Sequence, residues 1–267
     1  MDMIDIKEHI IDWLSEYAKT SGSKGFTIGV SGGIDSGVVS TLLAHTGLPV
    51  LILEMPIHQS ESEVTRAKKH IEWLKQNFTN VTSKEINLTD TYDSIYESFA
   101  PQAEGISKSD FDFSMANTRA RLRMTTLYQF AGMYRYLVAG TGNKVEDFGI
   151  GFYTKYGDGG VDLSPIADLM KSEVYSLGRE LGLIDEIINA VPTDGLHDDG
   201  RTDEDQIGAT YDELEWAMTY ESNGLMVSNP PLNERQIEVL KIYRKYNKSN
   251  KHKMEAIPVC HIPDNIK

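Results

Sequence analysis

One octapeptide constrains this chain more than any other stretch: Gly29-Val30-Ser31-Gly32-Gly33-Ile34-Asp35-Ser36, which follows the apolar run Phe26-Thr27-Ile28-Gly29-Val30 and precedes a helix-like run, Val38 to His45. Backbone amides at such a strand-to-helix turn can face an anion. Paired glycines let main chain approach phosphate oxygens with no side chain between, and the next helix adds unsatisfied N–H groups and its positive dipole end. Ser31 and Ser36 add hydroxyl donors. Asp35 is out of place in a phosphate cradle unless a divalent cation, such as oxygen-ligated Mg²⁺, stands between its carboxylate and the phosphates. The loop therefore points to ATP with Mg²⁺. The competing reading is a plain turn, with Asp35 or Ser36 capping the next helix. The sequence has no Gly-Lys-Ser/Thr and no G-x-G-x-x-G, which excludes the Walker loop and the dinucleotide fingerprint.

Around this loop, apolar or β-branched runs alternate with helical patterns. Strands are expected at Phe26–Val30, Pro49–Met55, Val81–Leu88 and Tyr136–Ala139. Helices are expected at Ile6–Ala18, Val38–His45, Glu61–Asn77 (with Ser60 and Glu63 as a capping box), Met115–Tyr134, Tyr211–Tyr220 and Glu234–Tyr246. This β-α-β-α-β-α-β order predicts an α/β fold with a doubly wound parallel sheet and flanking helices, in which ligands bind beyond the C-terminal strand ends. Ala100–Asp112 and Pro192–Gly208 read as mobile loops, the second as a lid or a solvated acidic connection, and Lys248 to Lys253 as an irregular basic tail. One domain spanning residues 1–267 is expected.

With 267 residues and 40% hydrophobic content the chain can bury a full core. A net charge of −14 argues against a broad nucleic-acid or anionic-membrane surface, while leaving room for small phosphorylated ligands held by a few local cations. The single cysteine, Cys260, fits a reducing cytosol, and with no basic leader or membrane-length apolar run a cytoplasmic protein is expected.

Three further constellations carry chemistry. Asn117-Thr118-Arg119-Ala120-Arg121-Leu122-Arg123-Met124 sets an amide and a guanidinium four residues apart on one helix face. Val138-Ala139-Gly140-Thr141-Gly142-Asn143-Lys144-Val145-Glu146 ends a strand in a Gly-Thr turn followed by a carboxylate. Phe152-Tyr153-Thr154-Lys155-Tyr156-Gly157-Asp158-Gly159-Gly160-Val161-Asp162 is too rich in glycine for regular structure, yet offers both signs of charge.

The Ser-Gly-Gly-x-Asp-Ser pattern resembles the pyrophosphate loop of the N-type ATP pyrophosphatases, of adenine nucleotide alpha-hydrolase-like (Rossmann-like) fold. Together with Asn117–Met124, Gly140-Thr141, Thr154–Gly160, Lys171, Pro192-Thr193-Asp194 and His252-Lys253, the chain over nearly its whole length resembles the ammonia-dependent NAD synthetases. That resemblance implies that Gly29, Val30, Ser31, Gly32, Gly33, Ile34, Asp35 and Ser36 bind ATP phosphates, with Thr141, Lys171 and Thr193 also on ATP. It implies Asp35 and Glu146 as Mg²⁺ ligands. Arg121, Lys155, Asp162, His252 and Lys253 would contact deamido-NAD, some across a homodimer interface. Two departures stand out. The interval from Glu146 to Lys155 is one residue longer than the resemblance leads one to expect, which makes Asp147 a rival ligand; and Met55-Pro56-Ile57-His58-Gln59 replaces a more usual Pro-Tyr-Gly.

The implied reaction is attack of the nicotinate carboxylate of deamido-NAD on the α-phosphorus of ATP, then displacement of AMP by ammonia. Asp35 and Lys171 would serve the first step by charge neutralisation. For the second, Asp158 either orients or deprotonates the ammonia or is a turn aspartate. The loop begins within about 30 residues of Met1, too few for a glutaminase domain, so free ammonia is the expected nitrogen source. Other classes are a different N-type pyrophosphatase, which has no reason to carry Thr154–Gly160, and a non-catalytic nucleotide-binding module, which does not need Asp35, Glu146 and Lys171 together.

Overall fold

The computed structural model describes residues 2–59, 61–192, 202–223 and 231–266. Strands β1 (Phe26–Gly29), β2 (Val50–Glu54), β3 (Val81–Glu85) and β4 (Leu137–Val138) run parallel in one sheet, in the order β3-β2-β1-β4. The apolar residues of β1 and β2 alternate between two cores. Phe26, Ile28, Val50 and Ile52 pack with α1 (Met3–Ser21), α2 (Ile34–His45) and α6 (Lys171–Glu180), while Leu51 and Leu53 pack with α4 (Thr89–Phe99) and α5 (Lys108–Tyr134). Burial on both faces is why these strands read as continuous apolar runs, and helices on both faces make the sheet doubly wound, as expected. The chain steps outward from β1 to β2 to β3, then returns to the far side of β1 as β4. The strand order therefore reverses between β1 and β4, where open α/β sheets bind ligands. Residues 30–33 leave β1 at that point.

A third core lies outside the sheet. Val145 and Ile150, in a π-helical turn spanning Val145–Ile150, pack against Leu214, Val239 and Tyr243 of α9 (Tyr211–Ser222) and α10 (Glu234–Met254). A π turn takes more residues than an α turn, so this segment holds more chain between Glu146 and Lys155 than a regular turn would.

Several local expectations are corrected. Residues 100–112 are a loop only over 103–107: Ala100–Gln102 is a 3₁₀ turn, and Ser107, its hydroxyl accepting from the Asp110 amide, caps α5 at Lys108. Lys248 to Lys253 is not irregular but the last part of α10. Within Pro192–Gly208, Asp203–Ile207 forms α8 behind a Thr202 and Asp205 capping box, and residues 193–201 lie outside the described residues. The side chains of Ser60 and Glu63 also lie outside them. β3 stops at Glu85 instead of Leu88, and α4, α6 and the short α7 (Asp185–Ile188) escaped the sequence reading. Among the described residues no helix is long and apolar enough to cross a membrane.

Candidate active site

Gly33 caps α2 without a side-chain bond, so the first amides of the helix have no intrahelical partner. The turn before it is held by the two serines. Ser31 Oγ and Ser36 Oγ lie 3.2 Å apart, Ser36 Oγ accepts from Ser31 N at 3.3 Å and Gly33 N donates to Ser31 Oγ at 3.3 Å, while Gly32 adopts a left-handed φ of 86°. The hydroxyls expected to face a ligand thus also fix the curvature of the loop.

Asp35 sits in the first turn of α2, 18% exposed, and meets Lys171, the first residue of α6: Lys171 Nζ is 2.6 Å from Asp35 Oδ2 and 3.0 Å from Glu146 Oε1. Asn143, fully buried after β4, donates to Asp35 Oδ1 at 3.2 Å and accepts from the Glu146 amide at 3.2 Å, tying the Asp35 carboxylate to the backbone that carries Glu146. Tyr211 Oη lies 2.6 Å from Glu146 Oε1 and 3.1 Å from Asp203 Oδ2, with Lys171 Nζ 4.6 Å from the centre of its ring. Burial raises the Asp35 pKa, the Lys171 ammonium opposes that, and Glu146 adds to the rise. Burial pushes the Lys171 pKa down, but Asp35 and Glu146 more than reverse it, so the ammonium stays charged. Sequence reasoning missed Asn143, Asp203 and Tyr211. Gly-Thr-Gly-Asn gave a signal for the first, whereas the other two come from helices whose approach to the sheet no local pattern announces.

Asp147 and Asp158 line the same cavity of about 290 Å³ as Asp35, Thr141, Glu146, Lys171 and the loop residues Gly29, Val30, Ser31, Gly33, Ile34 and Ser36. Burial, then Glu146, Asp158 and Asp35, push the Asp147 carboxyl up to about 8. Burial lifts Asp158 to about 6 against the opposing amide bond from Thr154, whose N lies 2.9 Å from Asp158 Oδ1. Gly142 leaves room for Asp147, since a Cβ there would lie 2.2 Å from its carboxylate oxygens.

The other expected residues gather on an adjoining surface and not in that cavity. Asn117 accepts from Thr154 Oγ1 at 2.7 Å, and Arg121 Nε donates to Lys155 O at 3.4 Å. Lys155 Nζ donates to His252 O at 2.6 Å, and Lys253 Nζ to Gly151 O at 2.9 Å and Tyr153 O at 2.6 Å. Asp162 accepts from Val138 N at 2.8 Å and Tyr128 Oη at 3.0 Å. These groups pin the Gly-rich loop to α5 and α10 within one chain. Thr193 lies outside the described residues.

Known proteins are similar to this chain in sequence and in fold. The family described as NAD synthase matches residues 6–257. The NH(3)-dependent NAD(+) synthetase of Methanococcoides burtonii is 39% identical over 80% of this chain and 78% of its own. Among solved structures, NMN synthetase from Francisella tularensis superposes with a TM-score of 0.80 at 29% identity, covering 99% of both chains. The NH3-dependent NAD synthetase from Campylobacter jejuni, in complex with the nitrate ion, gives 0.76 at 28% identity, covering 98% of this chain and 100% of its own.

Proposed function

This chain belongs to the NAD synthase family, and on that premise we propose that it amidates deamido-NAD with ammonia at the expense of ATP, releasing AMP and pyrophosphate. The observation that carries the reading is Lys171 between Asp35 and Glu146 at the mouth of the Gly29–Ser36 loop. A nucleotide-binding module has no use for two largely buried carboxylates around one ammonium, whereas an enzyme that cleaves ATP between α and β phosphates must neutralise a departing pyrophosphate.

Two hard carboxylate ligands, Asp35 held by Asn143 and Glu146 held by Lys171 and Tyr211, with more acid than base around them, fit Mg²⁺, and Asp35 and Glu146 would hold it. When bound, the ion neutralises phosphate charge as a Lewis acid. The unpaired amides at the start of α2 receive phosphate oxygens, and Lys171 adds its charge at the bond that breaks. The nicotinate carboxylate displaces pyrophosphate from the α-phosphorus, giving a mixed anhydride with AMP. Ammonia then attacks the carboxyl carbon, AMP leaves, and the surplus proton passes to Asp158, whose pKa near 6 suits a neutral-pH acceptor. Arg121, Lys155, Asp162, His252 and Lys253 shape the surface for the dinucleotide, and Thr141 and Thr193 that for ATP.

A homodimer is part of the proposal. Phe113 and Met133 on α5 are 66% and 63% exposed, and Ile257, Val259 and Ile262 in the C-terminal segment stand out from the protein, a surface a second copy would cover. Light scattering tests it: a monomer at micromolar concentration would remove the shared site.

A second reading has support in the superposition on an NMN synthetase, which points to the mononucleotide acid as acceptor. Parallel assays with deamido-NAD and nicotinate mononucleotide, each with ATP, Mg²⁺ and ammonium, separate the two. The proposal expects higher kcat/KM on the dinucleotide; the reverse order would reassign the substrate.

A further inference from the structure

Among the described residues Tyr211 is the one buried phenol hydrogen-bonded to the charged centre, and the reaction scheme above gives it no task. It opens α9, is 6% exposed, and is held from behind by Leu214, Val239 and Tyr243. Its hydroxyl stands between two carboxylates, 2.6 Å from Glu146 Oε1 and 3.1 Å from Asp203 Oδ2, and has a single proton to donate. Lys171 engages the same Glu146 oxygen at 3.0 Å, and among the described residues no hydrogen bond reaches Glu146 Oε2. The arrangement fastens one oxygen of the carboxylate and leaves the other for a ligand. Asp203 has a second attachment: its amide donates to Pro192 O at 3.2 Å, which joins the chain on either side of residues 193–201.

We propose that Tyr211 is a positioning residue for Glu146, orienting that carboxylate for the cation that accompanies ATP and coupling it, through Asp203, to the chain ends at Pro192 and Asp203. The inference rests on the ATP- and Mg²⁺-dependent reading above and extends it to a residue that touches neither phosphate nor acceptor. The phenol acts as an outer-shell donor, and removing such donors commonly weakens metal binding about 10- to 100-fold.

Tyr211→Phe keeps the ring, its packing and its contact with Lys171, and deletes only the hydroxyl. Calorimetry with ATP, in Mg²⁺ and again in EDTA, reads the effect without turnover. The expected result is about tenfold weaker ATP binding in Mg²⁺ with binding in EDTA unchanged. In assays, the Mg²⁺ concentration for half-maximal rate rises while the KM for deamido-NAD holds. Equal affinity of Tyr211→Phe and wild type in Mg²⁺ would overturn the assignment. If Tyr211→Phe does not fold, Asp203→Asn carries the test: it replaces one of the two carboxylates that Tyr211 bridges with a neutral amide and so breaks the charged half of the link to Glu146, and at least about threefold weaker binding in Mg²⁺ is expected, wild-type affinity being the contrary result. Wild-type protein whose ATP binding ignores Mg²⁺ would defeat the functional reading itself, an outcome distinct from a silent Tyr211→Phe.

Discussion

Lys171 and Asp35 lie 136 residues apart in the chain, yet Lys171 Nζ donates to Asp35 Oδ2 at 2.6 Å, with the lysine side chain only 4% exposed. The contact joins the first turn of α2 to the first residue of α6, so the phosphate loop and the second half of the chain share one buried ion pair. Glu146 makes it a triad of one ammonium and two carboxylates, in which deleting either carboxylate leaves a pair but deleting the lysine leaves both carboxylates without their counter-charge.

Lys171→Ala is therefore expected to lower stability as well as activity. Breaking a buried pair by deleting one partner costs about 3–5 kcal/mol, because the remaining carboxylates lose their counter-charge. Urea denaturation reads the loss and pyrophosphate release reads the activity. A variant with wild-type stability would mean that water already screens the pair.

Gly142→Ala should displace Asp147. A Cβ there would fall 2.2 Å from the Asp147 carboxylate, and overpacking of this kind costs about 1–3 kcal/mol. Adding Asp147→Ala should restore most of the stability, since the three atoms nearest that Cβ all belong to the Asp147 carboxylate. Failure of the double variant to recover would place the constraint in the backbone.

His70 makes stability depend on pH. Fully buried beside Ser40, with Ser40 Oγ 2.9 Å from its Nε2, it has its pKa pushed down to about 4 by burial, against a smaller opposing contribution from the Gly37 backbone. The folded pKa lies below the unfolded one, so the unfolded chain takes up the proton first. The stabilisation is whole above the unfolded value of 6.5 and is lost as pH falls towards about 4. Between about pH 7.5 and about pH 5 the loss from this residue is about 2 kcal/mol. Denaturation across that range should show a shallower slope in His70→Gln than in wild type; equal slopes would reject the assignment.

Lys253→Ala should act on the acceptor and spare ATP. Lys253 donates to two backbone carbonyls, Gly151 O and Tyr153 O, just before the Thr154–Gly160 loop. Losing them should loosen that loop and raise the KM for deamido-NAD severalfold, with ATP affinity by calorimetry nearly unchanged. Weakened ATP binding with a normal KM for the acceptor would show that the loop serves the other substrate.

How much of this was legible in the sequence follows from how local each signal is. The strand–loop–helix around Asp35 was readable because β1 is buried on both faces and its glycines mark the turn within a few residues. The start of α5 was not: Pro101 and Gly105 disguised a helix that begins at Lys108, and its cap, Ser107, looked like one more loop serine. Lys171 was placed by family resemblance, but no periodicity could say that it would be buried against Asp35. Tyr211 and Asp203 were invisible because their partner, Glu146, is remote in sequence, and such contacts exist only after the third core has packed α9 against the π turn. The intrachain bonds of Lys155 and Lys253 were equally illegible, because motifs give residue types but not which backbone carbonyl an ammonium will meet.

The most direct test of the central claim is product stoichiometry. Purified protein is incubated with ATP, Mg²⁺, deamido-NAD and ammonium, and NAD, AMP, ADP, pyrophosphate and phosphate are quantified, with Asp35→Asn as control. The account predicts equal amounts of NAD, AMP and pyrophosphate from the wild type and none from a folded Asp35→Asn protein. ADP and phosphate in place of AMP and pyrophosphate, or undiminished product from Asp35→Asn, would contradict it.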